Sequence, residues 1–302
     1  MNAHETHDLP CPGLTRPLTA RWPADGPLAG AVVFCHGLGS NGREYAALSR
    51  HWAEHGYLVL HPTFDDAIAL VAAAEPALGL DPTADLSRWT AMPEVRARMH
   101  QILHHPDSAR ARVTQAVAVI DALPALTEAT AGGPVPPLAI AGHSFGAYTA
   151  QLLAGAVVDL PDQPNASFAD PRITAAMLLS AQGRDQQGLR DGSWDRLALP
   201  ALTVTGTRDM GAKGGDWHWK CEPFELAKAP EQYLAVLDEG DHFLGGFTET
   251  DVGRHVPAQA ETLRDLTLTF LDAHLRGDPA ARTRLRATSS ATTAAPLLFK
   301  AR

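Results

Sequence analysis

A serine, an aspartate and a histidine stand in this chain where they could share one reaction. Ser144 lies in Gly142-His143-Ser144-Phe145-Gly146, after the apolar run Ala139-Ile140-Ala141 and before a small-residue helical pattern. Asp209 follows Ala201-Leu202-Thr203-Val204-Thr205-Gly206-Thr207-Arg208. His242 follows Tyr233–Leu237 in Asp238-Glu239-Gly240-Asp241-His242-Phe243. A serine hydroxyl is too weak an acid to attack a carbonyl unaided. A neutral imidazole must take its proton, and a carboxylate must hold that imidazole in one tautomer. The chemistry open to such a set is acyl transfer to water. Its tetrahedral oxyanion needs two N–H donors. One is Phe145, next to the nucleophile. The second is Leu38 in His36-Gly37-Leu38-Gly39-Ser40, where glycines on both sides let the backbone turn inward.

Each assignment has a competitor. Asp238 and Asp241 are other carboxylates near the last strand, and His255 is the other histidine in the C-terminal part of the chain. Asp209 is preferred because it ends a strand, and His255 reads as the solvated start of the last helix. His36 and His143 read as braces for their loops. Arg208 reads as a surface residue, and Trp217, His218 and Trp219 as the packing of a long loop. Tyr148 belongs to the core.

These groups must be positioned by strands that end in loops. Ala31–Cys35 is apolar throughout, the pattern of a strand buried on both faces of a parallel sheet, and Tyr57–Leu60, Ala139–Ala141, Ile173–Leu179, Ala201–Thr205 and Tyr233–Leu237 read as further strands of it. An early edge strand is expected around Leu14–Trp22. Helices are expected over Arg43–Glu54, Asp107–Leu123, Phe145–Val158 and Ala258–His274. The fold class is therefore α/β, a mostly parallel central sheet with helices on both faces, in one domain over 1–302. Residues 65–106 read as an insertion flanking the active site, 159–171 as a loop, and 278–302 as a weakly specified tail. Ligands in such sheets bind beyond the carboxyl ends of the strands, and every candidate group falls at such an end. A serine at a strand–turn–helix junction between two glycines is a nucleophile elbow, and the chain order Ser, Asp, His accompanies it.

On these motifs the chain resembles the α/β-hydrolases from about Ala31 to Leu275. Within them, His36-Gly37-Leu38-Gly39-Ser40, Gly142-His143-Ser144-Phe145-Gly146 and Pro223-Phe224-Glu225 are similar to the bacterial group of predicted dienelactone hydrolases, related to platelet-activating-factor acetylhydrolases and cutinase-like esterases. The resemblance implies a carboxylesterase without cofactor or metal. Its substrates would be small-molecule or polymeric esters with small to medium acyl chains, polyester and phospholipid-like esters among them. True dienelactone hydrolases use a cysteine nucleophile, so Ser144 carries over no lactone specificity. An amidase, a peptidase and a cofactor-free perhydrolase use the same triad and stay open.

Composition bounds the rest. The 302 residues carry a net charge of −9 and a pI near 5.8, with 45% hydrophobic residues, which argues against nucleic acid or an anionic membrane as partner. Three widely spaced cysteines form neither a zinc motif nor a disulfide framework, and nothing in the spacing supports a Cys11–Cys221 pair. Asn165-Ala166-Ser167 fits the glycosylation sequon and is read as chance. No apolar run reaches a membrane span, and no signal peptide is apparent. A cytoplasmic protein is expected, the alternative being a secreted one whose signal has been removed. The oligomeric state stays open.

Overall fold

The computed structural model describes residues 2–211, 216–246 and 255–302. In chain order its elements begin with β1 (Ala3–Leu9), β2 (Leu18–Pro23), β3 (Gly30–Cys35), α1 (Ala46–Glu54) and β4 (Tyr57–His61). Then come α2 (Ile68–Ala74), α3 (Pro93–His104), α4 (Pro106–Asp121), α5 (Leu123–Thr130), β5 (Leu138–His143) and α6 (Phe145–Leu153). A small hairpin, β6 (Val157–Leu160) and β7 (Gln163–Ser167), precedes β8 (Ile173–Leu179), β9 (Ala201–Gly206), α7 (Glu222–Leu226) and β10 (Gln232–Leu237). The chain continues through α8 (Pro257–Leu271) and α9 (Pro279–Arg286) to β11 (Leu297–Ala301).

Among the described residues nine strands form one sheet in the order β1-β2-β4-β3-β5-β8-β9-β10-β11. The six from β4 to β10 run parallel, while β1, β2 and β11 join antiparallel at the edges. Alternation along β3 divides the core. Ala31, Val33 and Cys35 meet Val113, Ile120, Phe145 and Leu152 from α4 and α6. Val32 and Phe34 meet Trp52, Leu263 and Phe270 from α1 and α8. The molecule is thus an α/β protein with a mostly parallel sheet covered on both faces. Among the described residues no helix is long and apolar enough to cross a membrane.

Several boundaries differ from expectation. The first helix starts at Ala46 rather than Arg43, because Tyr45 takes φ 65° and breaks the run. The edge strand begins at Leu18 rather than Leu14, and a further strand, β1, lies outside it. The helix expected to end at Leu123 stops at Asp121, and α5 starts there with Pro124 in its first turn, where a missing N–H costs nothing. The elbow helix ends at Leu153, and the expected 159–171 loop is largely the β6–β7 hairpin.

The C-terminal segment is no loose tail. Asp278 caps α9 by accepting from the Ala280 N–H at 2.8 Å, Ala281 and Leu285 are buried, and β11 pairs along β10 from Leu297↔Leu237 to Ala301↔Tyr233. β10 is therefore not the last strand. The 65–106 segment folds onto itself. Val95 and Met99 of α3 cover Ile68 and Val71 of α2, and Arg98 grips Glu75 with two hydrogen bonds of 2.7 and 2.8 Å. The three cysteines are free and buried.

Candidate active site

The junction of β5 and α6 sets the site. Ser144 takes φ 54°, ψ −120°, a conformation an L-residue holds only when its surroundings enforce it. Its N–H donates to Leu179 O at 2.9 Å and its carbonyl accepts from Tyr148 N–H at 3.1 Å. Helix and strand approach so closely that a Cβ on Gly142 would collide with the Gly146 carbonyl, and one on Gly146 with the carbonyl of Cys35 in β3. Only glycine fits either place.

Three of the sequence-derived residues meet there. His242 Nε2 stands 3.0 Å from Ser144 Oγ, and His242 Nδ1 stands 2.8 Å from Asp209 Oδ1. Ser144 and His242 are half-exposed while Asp209 is fully buried. Asp209 follows β9 and also accepts from Thr205 Oγ1 at 2.8 Å. The rival acids lie elsewhere: Asp238 is exposed, and Asp241 caps its own turn by accepting from Phe243 N–H at 2.8 Å. His255 is exposed ahead of α8.

Leu38 and Phe145 lie on the two backbone segments that meet at Gly146: the loop after β3 and the first turn of α6. Neither N–H finds an acceptor among the described residues. For Phe145 this follows from its place at a helix start, where no preceding carbonyl is in reach.

Two histidines brace this frame, as expected. His143 Nε2–H donates to the His242 carbonyl at 2.8 Å, so its Nδ1 accepts from Tyr45 OH at 3.0 Å. Tyr45 OH in turn accepts from Gly37 N–H at 3.0 Å. Burial, then the neighbouring His242, holds His143 neutral, far below the ordinary histidine range. His36 Nδ1–H donates to Gly37 O at 2.7 Å, and its Nε2 accepts from Phe64 N–H at 2.9 Å. Burial, followed by nearby Arg112, pushes its pKa down to about 3.

Two buried cations were not legible in the sequence. Arg112 of α4 lies between the rings of Phe64 and Phe145, its guanidinium carbon 4.4 and 4.3 Å from their centroids, and grips Asp66 at 2.6 and 2.7 Å. Lys220, in the turn before α7, is 2% exposed. Its Nζ lies 2.8 Å from Asp209 Oδ1, 2.5 Å from Ser180 Oγ and 3.4 Å from His242 Nδ1. Ser180 holds φ 53° at the end of β8 and sits 2.8 Å from the same Nδ1. Burial alone would raise the Asp209 pKa, but His242 and Lys220 outweigh it and hold the carboxyl well below its usual range. Burial pulls the Lys220 pKa down from the ordinary lysine value, with Asp209 opposing.

Arg208, beside Asp209, turns outward to Glu239. Trp217 is stacked on exposed His218 and packs against the Cys221–Phe224 cluster, while Trp219 lies under Lys220 Nζ at 5.0 Å. Part of the 210–222 loop falls outside the described residues. No protein-family model matches this chain, and neither does any curated protein.

Proposed function

We propose that this chain is a serine hydrolase of the α/β-hydrolase class that cleaves carboxylic esters. One observation carries the reading: a strained serine at a strand–helix junction, an imidazole 3.0 Å from its oxygen, and a buried carboxylate 2.8 Å from the far ring nitrogen. The order of the strands supports the class, with Ser144 after β5, Asp209 after β9 and His242 after β10 in a parallel sheet.

In this reaction His242 Nε2 takes the Ser144 proton as Oγ bonds to the acyl carbon. The carbonyl π pair moves onto oxygen, which the N–H groups of Leu38 and Phe145 receive. Asp209 keeps Nδ1 protonated and stabilises the imidazolium, without itself taking the proton. The carbonyl re-forms as the alcohol leaves with the proton from Nε2. Water, deprotonated by the same nitrogen, then cleaves the acyl-enzyme and restores Ser144. Losing one oxyanion donor in such a step costs roughly 3–4 kcal/mol of barrier.

A panel of p-nitrophenyl esters of graded acyl length tests the reading. Hydrolysis is expected for wild type, with loss of about 10⁴-fold or more in Ser144→Ala, alongside covalent labelling of Ser144 by a fluorophosphonate. Absence of both hydrolysis and labelling in a folded sample overturns it. Matched ester and amide substrates separate an esterase from an amidase.

A further inference from the structure

Lys220 is a charge the acyl-transfer steps do not need, yet it is built into their centre. It is buried, and its ammonium shares Asp209 Oδ1 with His242 Nδ1. The charged and titratable groups facing the His242 ring come from three sides: Asp209 from the loop after β9, Lys220 from the turn before α7, and His143 from the end of β5, its ring centroid 4.8 Å away. Among the described residues the other polar contacts are the hydroxyls of Ser144 and Ser180. With His143 held neutral by burial, the ring faces one negative and one positive charge among the described residues.

We propose that Lys220 is a positioning residue that sets the acidic limit of the reaction, by opposing a second positive charge on His242 and by fixing the Asp209 carboxylate and Ser180 hydroxyl around Nδ1. The proposal rests on the hydrolase reading. An isolated Asp209 would draw a proton onto His242 and leave Ser144 without a base as the solution is acidified. An ammonium 3.4 Å from Nδ1 opposes that attraction. Its hydrogen bond to Ser180 Oγ at 2.5 Å occupies that oxygen and directs the His242 Nδ1–H toward Asp209.

Two substitutions separate charge from shape. Lys220→Gln keeps an N–H donor but loses the charge, and Lys220→Met keeps the stem alone. In both, the acidic limb of the kcat/KM profile is expected to rise by about one pH unit, since a full charge within about 4–6 Å has effects of that size. A shift shared by both variants supports the proposal. A folded Gln variant whose activity falls equally at every pH, with the limb unmoved, overturns it.

Wild-type protein supplies a readout that needs neither activity nor a Lys220 variant. The sequence holds four lysines, Lys213, Lys220, Lys228 and Lys300. Protein labelled with ¹³C at lysine Cε gives few NMR signals, and Arg replacements at the other three assign Lys220 by elimination. Lys220 is expected to stay an ammonium throughout the acidic limb, and a neutral amine there overturns the proposal. Inactivity toward every ester with Lys220 still charged counts against the hydrolase reading instead.

Discussion

The Nη1 of Arg112 donates to the His36 carbonyl at 2.7 Å, so a helix on one face of the sheet holds the strand end from which the Leu38 loop departs. The same guanidinium reaches Gly37 O at 3.3 Å and presses on the Phe145 ring. Both candidate oxyanion donors are thereby tied to one side chain. Arg112 and Asp66 are both buried, and removing one leaves the other charge without its partner.

Arg112→Met is expected to cost about 3–5 kcal/mol in denaturant unfolding, the range for breaking a buried pair. Arg112→Met with Asp66→Asn should recover part of that loss. In the double variant kcat should stay low with KM little changed, because the Leu38 loop remains untethered. Full recovery of both stability and kcat would refute the tether.

The elbow makes a steric prediction. Gly146→Ala drives a methyl into the Cys35 carbonyl and should cost at least ~3 kcal/mol or prevent folding. Gly132→Ala is the control, with φ +69° and open space around its Cβ, and should cost only about 1 kcal/mol. Equal costs in urea titrations would deny the close approach of helix and strand.

Stability should fall with acid before most carboxylates titrate. His36, with its pKa pushed down to about 3, and His61 and His143, both held far below the ordinary 6.5, are buried and neutral when folded. The unfolded chain binds protons on them below about pH 6.5 and the folded chain does not. Stability is therefore lost as pH falls from about 6.5, by roughly 1.4 kcal/mol per unit for each histidine. Asp209, depressed in the fold, adds a loss of the same sign below the ordinary carboxylate range. Neither ring nitrogen of His61 finds a partner among the described residues, so His61→Phe should remove one histidine's share of the slope. Urea midpoints at pH 7, 6 and 5 that do not change would contradict this.

The parts of the site that end strands were legible in the sequence, because an apolar run followed by a polar turn marks such an end. Ser144, Asp209 and His242 all carry that mark, and the structure brings them within hydrogen-bonding reach. Ser180 also ends a strand, but a serine there names no role by itself, and Lys220 and Arg112 carry no such mark. Lys220 sits beside tryptophans in a loop, and it is buried where it meets Ser180 and Asp209, which follow β8 and β9. Arg112 falls on a helix whose apolar stripe is complete without it.

The edges of the sheet were hidden for a different reason. β1 reads Ala-His-Glu-Thr-His-Asp-Leu, with no apolar alternation, and is a strand because β2 offers a partner. β11 follows a threonine-rich stretch and gains its identity from the free side of β10. Pairing partners decide such elements, and local pattern cannot supply them.

The line of hydrogen bonds from Gly37 through Tyr45 and His143 to the His242 carbonyl spans from the loop after β3 to the loop after β10. Linked by one strut, those segments cannot swing apart independently. On the proposed hydrolase reading, an ester that enters must fit a cradle already set to shape, so selectivity falls to the walls around it, and the cost of arranging the reacting groups is met when the chain folds.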